Sequence, residues 1–157
     1  MFSLYNTSHK PHRSARMRYI SAYKICHQKE SNMHKGSCLC RAVTFEVNGN
    51  LSPPDACHCS QCRKQSGHFF ASTDVFRSAI TINGADNLTW FSVENVQRGF
   101  CSICGSSLFW DPINRDWIAV AMGAFDTPTN TNLGKHIFVA NKGDYYDITD
   151  SLPQNLQ

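Results

Sequence analysis

The sequence predicts a mainly β domain with little helix, and three observations support this. Short runs rich in β-branched and aromatic residues recur along the chain, and turn-forming residues separate them about every 8–12 positions. The 157-residue chain also has 41% hydrophobic and 17% charged residues, which is enough apolar material for one packed core. The predicted strands are 42–47, 68–76, 80–83, 88–93, 97–100, 107–110, 117–122 and 136–139, with a helical turn or two expected after Cys62.

Residues that favour turns bound these strands. The first run, AVTFEV at 42–47, alternates apolar and polar side chains and ends at Asn48-Gly49, a pair favoured in tight turns. The turn sequence SPPD at 52–55 precedes the aromatic-rich run 68–76, which we interpret as one strand or two. The run 80–83 ends at Gly84, and the later runs follow at similar spacing. We therefore expect one or two sheets.

Charge divides the chain into a basic tail and a mildly acidic body. Residues 1–29 contain six Lys or Arg and no acid, whereas residues 30–157 contain nine basic and twelve acidic residues. We predict that 1–32 is a disordered basic tail or an upstream extension of the reading frame, with organelle targeting as the alternative. The body lacks the clustered positive charge that phosphate contacts need, so we do not expect it to bind nucleic acid. No apolar run is long enough for a membrane span.

Seven of the eight cysteines fall into three groups with metal-ligand spacing. Thiols two or three positions apart are poorly placed to bond each other and well placed to hold one tetrahedral ion. Gly105 follows the last group, as glycine commonly does in zinc knuckles. The groups are Cys38-x-Cys40, Cys57-x-Cys59-x-x-Cys62 and Cys101-x-x-Cys104.

Seven cysteine ligands can be divided between two metal ions as one set of four and one set of three. The run Cys57–Cys62 can wrap three thiolates around one ion, and the pairs 38/40 and 101/104 then close a four-cysteine site of the structural type. Three protein ligands with a vacant position are typical of catalytic zinc. The alternative is a closed second site completed by His58, His68 or Cys26. His58 lies between two ligands and should point away, so His68 is the more feasible fourth ligand.

Basic residues lie near the cysteine groups. Arg63 and Lys64, which follow Cys62 directly, are the residues that we predict to meet an anionic thiol substrate. Arg41 and Arg98 are further candidates to offset thiolate charge, and the alternative is that all four are ordinary solvated side chains.

Four segments resemble a known family. GSCLCRAVTFEV, ACHCSQCRKQSG, FCSICGSSLFW and KHIFVANKGDYYDITDSLPQ are similar to sequences of the glutathione-dependent formaldehyde-activating enzyme (GFA) family, which includes centromere protein V. The resemblance covers residues 33–154, the expected GFA-like domain, and leaves out 1–32. It implies a small zinc-stapled β-tent of packed antiparallel sheets with two Zn²⁺ per chain. The structural zinc would be held by Cys38, Cys40, Cys101 and Cys104, and the second, open zinc by Cys57, Cys59 and Cys62.

The resemblance also implies a reaction. Its type activity joins formaldehyde and glutathione to give S-(hydroxymethyl)glutathione, which is a carbon–sulfur lyase reaction run in reverse. Cys57, Cys59 and Cys62 would act through bound zinc, and glutathione would be a co-substrate. One departure is Tyr145-Tyr146, where many relatives carry Trp. The alternative function is a non-catalytic zinc-stapled binding module for protein or nucleic acid. Zinc thiolates require a reducing compartment, so we expect the cytoplasm, or an organelle matrix if the tail is a targeting segment.

Overall fold

The computed structural model describes residues 32–157, and this range contains ten strands and one α-helix. The predictions for the tail, and Cys26, lie outside the described residues. The strands are β1 Met33–Ser37, β2 Thr44–Asn48, β3 Asp55–Cys57, β4 Phe70–Phe76, β5 Ile80–Asn83, β6 Leu88–Val93, β7 Val96–Cys101, β8 Ser107–Pro112, β9 Trp117–Ala121 and β10 Lys135–Ile137. The helix α1 is Ser60–Ser66, and short 3₁₀ turns cover Arg77–Ala79, Ala85–Asn87, Met122–Ala124 and Val139–Asn141.

The strands form two sheets, which confirms the predicted mainly β fold. One sheet has the order β1-β2-β5, and the other has the order β10-β3-β4-β9-β8-β7-β6. Every named pair is antiparallel except β10 with β3, which run parallel with His136 opposite Ala56. The expected antiparallel pairing is thus confirmed for every other pair, and the one parallel pair lies at this edge, where a long connection brings β10 back beside β3.

The hydrophobic core lies between the two sheets. Phe45 of β2 is fully buried and meets Phe109 of β8 and Phe125 edge to face, with ring centroids 5.6 and 5.1 Å apart. A Cβ atom at residue 36 would collide with the Phe45 ring, so Gly36 is required for this approach. Because side chains alternate along a strand, the opposite face of the larger sheet stays free for other contacts.

Helix α1 lies beside this opposite face of the larger sheet. The helix begins at Ser60, so it contains Cys62 and does not follow it as predicted. The Cys59 sulfur caps the helix by accepting from the Cys62 amide, and Gly67 ends it in the left-handed conformation at φ +80°. None of the helices in the described range is long and apolar enough to cross a membrane.

Candidate functional site

Four cysteines from two segments about 60 residues apart in sequence meet in one cluster. Cys38 and Cys40 lie in the loop after β1, and Cys101 and Cys104 lie at the turn between β7 and β8. The sulfur of Cys40 is 3.5 Å from that of Cys38 and 3.7 Å from that of Cys101, and all four sulfurs lie within 4.8 Å of one another. A tetrahedral ion with Zn–S bonds of about 2.3 Å requires sulfurs about 3.8 Å apart. The four-cysteine cluster therefore fits a closed tetrahedral site.

Hydrogen bonds favour the thiolate form of Cys38 and Cys104 in this cluster. The Val43 amide donates to the Cys38 sulfur at 3.3 Å, and the Ser106 hydroxyl lies 3.2 Å from the Cys104 sulfur. Bonds from the Ser106 side chain and then its backbone lower the pKa of Cys104 to about 5. Gly105, at φ +75°, donates its amide to the Cys101 carbonyl and closes the knuckle. These donors suit sulfurs that carry negative charge when a metal is bound.

The second cluster contains three cysteines at the junction of β3 and α1. Cys57 ends the strand, Cys59 caps the helix and Cys62 lies in its first turn. Their sulfurs lie within 4.8 Å of one another, and Cys62 is buried while the other two are half-buried. This donor set also fits a thiolate-bound ion, with three ligands from the described residues.

Neither histidine considered as a fourth ligand joins this cluster. His58 is fully buried and points away, with Nδ1 bonded to the Tyr146 hydroxyl and Nε2 2.8 Å from Nδ1 of His136. Burial, followed by the charge of His136, lowers the pKa of His58 to about 4 and keeps the ring neutral. His68 packs edge-on against the Tyr146 ring at 4.2 Å.

Arg98 of β7 is the cation beside the three-cysteine cluster. It is 6% exposed and donates to the side-chain oxygens of Gln61 and Gln65, at 3.0 Å each. Its two terminal nitrogens lie 3.8 and 3.9 Å from the Cys62 sulfur. Hydrogen bonding with Cys57, supported by Cys59 and the charge of Arg98, lowers the pKa of Cys62 to about 6. The pKa of Cys57 moves upward, because it shares its proton with Cys62 and is partly buried. One sulfur of the cluster is thus favoured as a thiolate before any metal binds.

The three sulfurs line a cavity of about 720 Å³. Its floor is the free face of the larger sheet, where strand register places Asp74, Ala119, Trp110 and Arg98 in one row across β4, β9, β8 and β7. Trp110 and Trp117 are stacked with ring centroids 5.7 Å apart and also line the cavity. The small side chain of Ala119 leaves space between its larger neighbours.

Further polar groups line the cavity. Lys135 forms a 3.3 Å ion pair with Asp55, and Asp74 lies nearby on β4. Partial desolvation, followed by the charge of Asp55, raises the pKa of Asp74. Adjacent strands lie about 4.8 Å apart, so the row from Asp74 to Arg98 spans three spacings, or about 14 Å.

Arg63 and Lys64, the predicted contacts for an anionic substrate, are not among the residues that line the cavity. The basic residues that line it are Arg98 and Lys135. The role of Arg63 and Lys64 as substrate contacts stays a prediction, and the cations that line this cavity come from β7 and β10.

Sequence reasoning missed much of the cavity wall. Neither Trp110 nor Trp117 was singled out from the sequence as a site residue, although their positions alternate with the buried Phe109 and Ile118 and so pointed to the opposite face. The role of Lys135 had no local signal, because it depends on the parallel pairing of β10 with β3.

The fold and the two clusters define a small β protein with two cysteine sites that can hold metal. A family model described as "Glutathione-dependent formaldehyde-activating enzyme" matches residues 33–141, and the chain belongs to this family. The chain is also similar to a crystal structure of a protein from Rhodobacter sphaeroides. That match has 26% sequence identity and a TM-score of 0.51, and it covers 61% of this chain and 91% of the other.

Proposed function

We propose that the protein is a zinc-dependent enzyme that makes or breaks a carbon–sulfur bond in a small thiol–aldehyde adduct. One observation carries the proposal: the cluster of Cys57, Cys59 and Cys62 lies in the wall of a cavity that is large enough for a small molecule. Membership of the family supports a role related to glutathione and formaldehyde. The proposed reaction is therefore the formation of S-(hydroxymethyl)glutathione, or its reverse.

The dimensions of the cavity suit a thiol of peptide size. An extended tripeptide is about 10 Å long, which the row of about 14 Å between Asp74 and Arg98 accommodates. The Cys62 sulfur lies beside Arg98 at one end of this row, while Asp74 lies at the other end and the ion pair of Lys135 with Asp55 also lines the cavity. A thiol bound with its sulfur near Cys62 can place a carboxylate or amino group beside those charged side chains.

The two clusters have different proposed roles. The four-cysteine cluster would hold a structural zinc that joins the loop after β1 to the β7–β8 turn. The three-cysteine cluster would hold a second zinc, which when bound supplies Lewis acidity and favours the thiolate form of a thiol ligand.

The side chains of the chain itself prepare the site for that chemistry. Arg98 offsets the negative charge of three thiolates and so makes an additional anionic sulfur less unfavourable. Trp110, Trp117 and Phe70 present apolar surface to the adduct and exclude water. In the forward reaction the sulfur–carbon bond forms and the thiol proton ends on the former carbonyl oxygen, so atoms and electrons balance without a further reactant.

The first test combines a metal count with turnover. We expect the wild type to hold two zinc ions and to consume formaldehyde when glutathione is present. We expect Cys59→Ser to keep the fold and lose one ion and turnover, because Cys59 is a ligand of the cavity site alone. A folded Cys59→Ser protein that lacks one ion and turns over normally would contradict the proposal.

A second variant distinguishes an open site from one closed by the tail. Cys26→Ser is the matched thiol replacement outside both clusters of the described range. We expect it to keep two ions and full turnover. Loss of the second ion in this variant would show that Cys26 completes the site, and the proposed vacant position would then be wrong. A two-zinc wild type inactive on a panel of thiols and aldehydes would favour the binding-module alternative.

A further inference from the structure

Four side chains form a hydrogen-bonded chain behind the three-cysteine cluster, and we name this chain the relay. It consists of Tyr146, His58, His136 and Asp150. The Tyr146 hydroxyl bonds to Nδ1 of His58, and Nε2 of His58 lies 2.8 Å from Nδ1 of His136. Nε2 of His136 then lies 3.0 and 3.2 Å from the two carboxylate oxygens of Asp150. The two imidazoles are buried, at 0% and 3% exposure.

With His136 neutral, the carboxylate fixes the direction of every bond in the relay. The ionised Asp150 side chain only accepts, so Nε2 of His136 carries a proton. A neutral imidazole has one N–H, so Nδ1 of His136 accepts from Nε2–H of His58. Nδ1 of His58 then accepts from the Tyr146 hydroxyl. All four groups are satisfied in this one arrangement, with both histidines as Nε2–H tautomers.

The relay immobilises the residue between two candidate metal ligands. His58 lies between Cys57 and Cys59, and its amide donates to the Ile137 carbonyl at 2.9 Å. Both the backbone and the side chain of His58 are therefore held, which restricts how its two neighbours can turn. Tyr146 and Asp150 lie after residue 141, where the match to the family model ends.

Backbone contacts dock the C-terminal segment independently of the relay. The His136 amide donates to the Pro153 carbonyl, and the Asn155 amide donates to the His136 carbonyl, at 2.8 Å each. These backbone bonds remain when a relay side chain is replaced. Asp150→Ala also removes the 3.0 Å bond that Asp150 Oδ1 accepts from the Leu152 amide, whereas Tyr146→Phe removes a relay bond alone and separates the relay from docking.

We infer that Tyr146, His136 and Asp150 are positioning residues that act through His58 to hold Cys57 and Cys59 in metal-binding geometry. The inference rests on the metal-binding half of the proposed function and not on the reaction. Hydrogen-bond partners behind metal ligands typically change metal affinity by about 10–100-fold when they are removed.

The test measures release of zinc from the fully loaded protein to a chromophoric chelator. We expect Tyr146→Phe and Asp150→Ala to speed release of the more labile ion by at least about tenfold and to leave the other ion unchanged. Asp150→Asn keeps an acceptor oxygen, so it should restore release to near the wild-type rate. Tyr145→Phe and Asp147→Asn are matched controls, because both side chains are exposed and lie outside the relay.

Long-range ¹H–¹⁵N NMR spectra of the imidazoles supply an independent readout. The wild type should show two neutral Nε2–H tautomers, and Asp150→Ala should alter the His136 pattern. Altered tautomers with unchanged zinc release would overturn the positioning role, as would equal acceleration in the control variants. A wild type that holds only one ion would instead contradict the proposed metal site itself. If the wild type holds two ions and neither Tyr146→Phe nor Asp150→Ala changes the rate of zinc release, this inference is wrong while the proposed metal site still holds.

Discussion

Arg98→Met should weaken zinc binding at the three-cysteine cluster while leaving the four-cysteine cluster intact. The guanidinium is buried, and both of its terminal nitrogens approach the Cys62 sulfur. Methionine has a similar length and is apolar, so it fills the space without supplying charge. The variant therefore isolates the electrostatic contribution of the arginine.

The expected loss of zinc affinity follows from the distance between the Arg98 guanidinium and the Cys62 sulfur. A unit charge 3.8 Å from the Cys62 sulfur stabilises the thiolate by about 4 kcal/mol at an effective dielectric constant near 20. Part of this lost stabilisation is offset, because the variant no longer carries the desolvation cost of a buried guanidinium. Gln61 is exposed and Gln65 half-buried, so their freed amides can bind water at little cost. A net loss of about 3 kcal/mol corresponds to roughly a hundredfold lower affinity for the second ion.

Equilibrium competition with a zinc chelator measures this affinity directly. Arg115→Met, at an exposed loop position, is the matched control and should bind both ions like the wild type. Arg98→Lys keeps the charge and loses the forked geometry, so we expect an intermediate affinity. If Arg98→Met binds the second ion with an affinity within about threefold of the wild type, the change in binding free energy is under about 1 kcal/mol. That result would refute the electrostatic reasoning.

Two further variants test the cavity. Ala119→Leu should fill the floor of the cavity between Asp74 and Trp110. We therefore expect turnover to fall while the zinc count stays at two. Ala85→Leu, on an exposed turn, is the control. Undiminished turnover would show that the substrate binds elsewhere. Asp74→Asn should raise the melting temperature at pH 7, because desolvation and Asp55 raise the pKa of Asp74 and penalise its charged form. The gain should shrink as pH falls through the folded-state pKa towards 3.8, where the unfolded carboxyl also becomes protonated. An equal gain at pH 7 and pH 4, or the same gain in the exposed control Asp116→Asn, would contradict this.

Strands with local signals were predicted closely, and strands that depend on distant partners were not. The bounds of β5 and β6 agree with the prediction, since alternation and turn residues mark both ends. Strand β1, MHKGS, was missed because its sequence has no alternating apolar pattern and Gly36 disfavours strands. Its stability comes from pairing with β2 and from the Phe45 ring that packs over Gly36. The three-residue β3 was missed because its partners β4 and β10 are remote in sequence.

Sequence spacing predicted the three cysteine groups because a chelating loop is a local feature, and counting seven ligands predicted that the pairs 38/40 and 101/104 meet. The side chains around the three-cysteine cluster were harder to predict, because a helix separates residues that are adjacent in sequence. Each helical position turns by about 100°, so Arg63 and Lys64 leave the face that carries Cys62, whereas Gln65 returns to it. Arg98 reaches that face from β7, and no short-range pattern connects residues 62 and 98.

Strand β7 links the two candidate metal centres physically. Arg98 faces the cavity and supports Cys62, while Cys101, three residues later, is buried in the core and belongs to the four-cysteine cluster. A register irregularity separates Gly99 from Phe100, so the two ends of the strand are held by different contacts. Loss of the four-cysteine ion would free the β7–β8 turn and with it one anchor of Arg98. An ion held by the four-cysteine cluster would therefore influence the electrostatics of the cavity site through the strand that both clusters share.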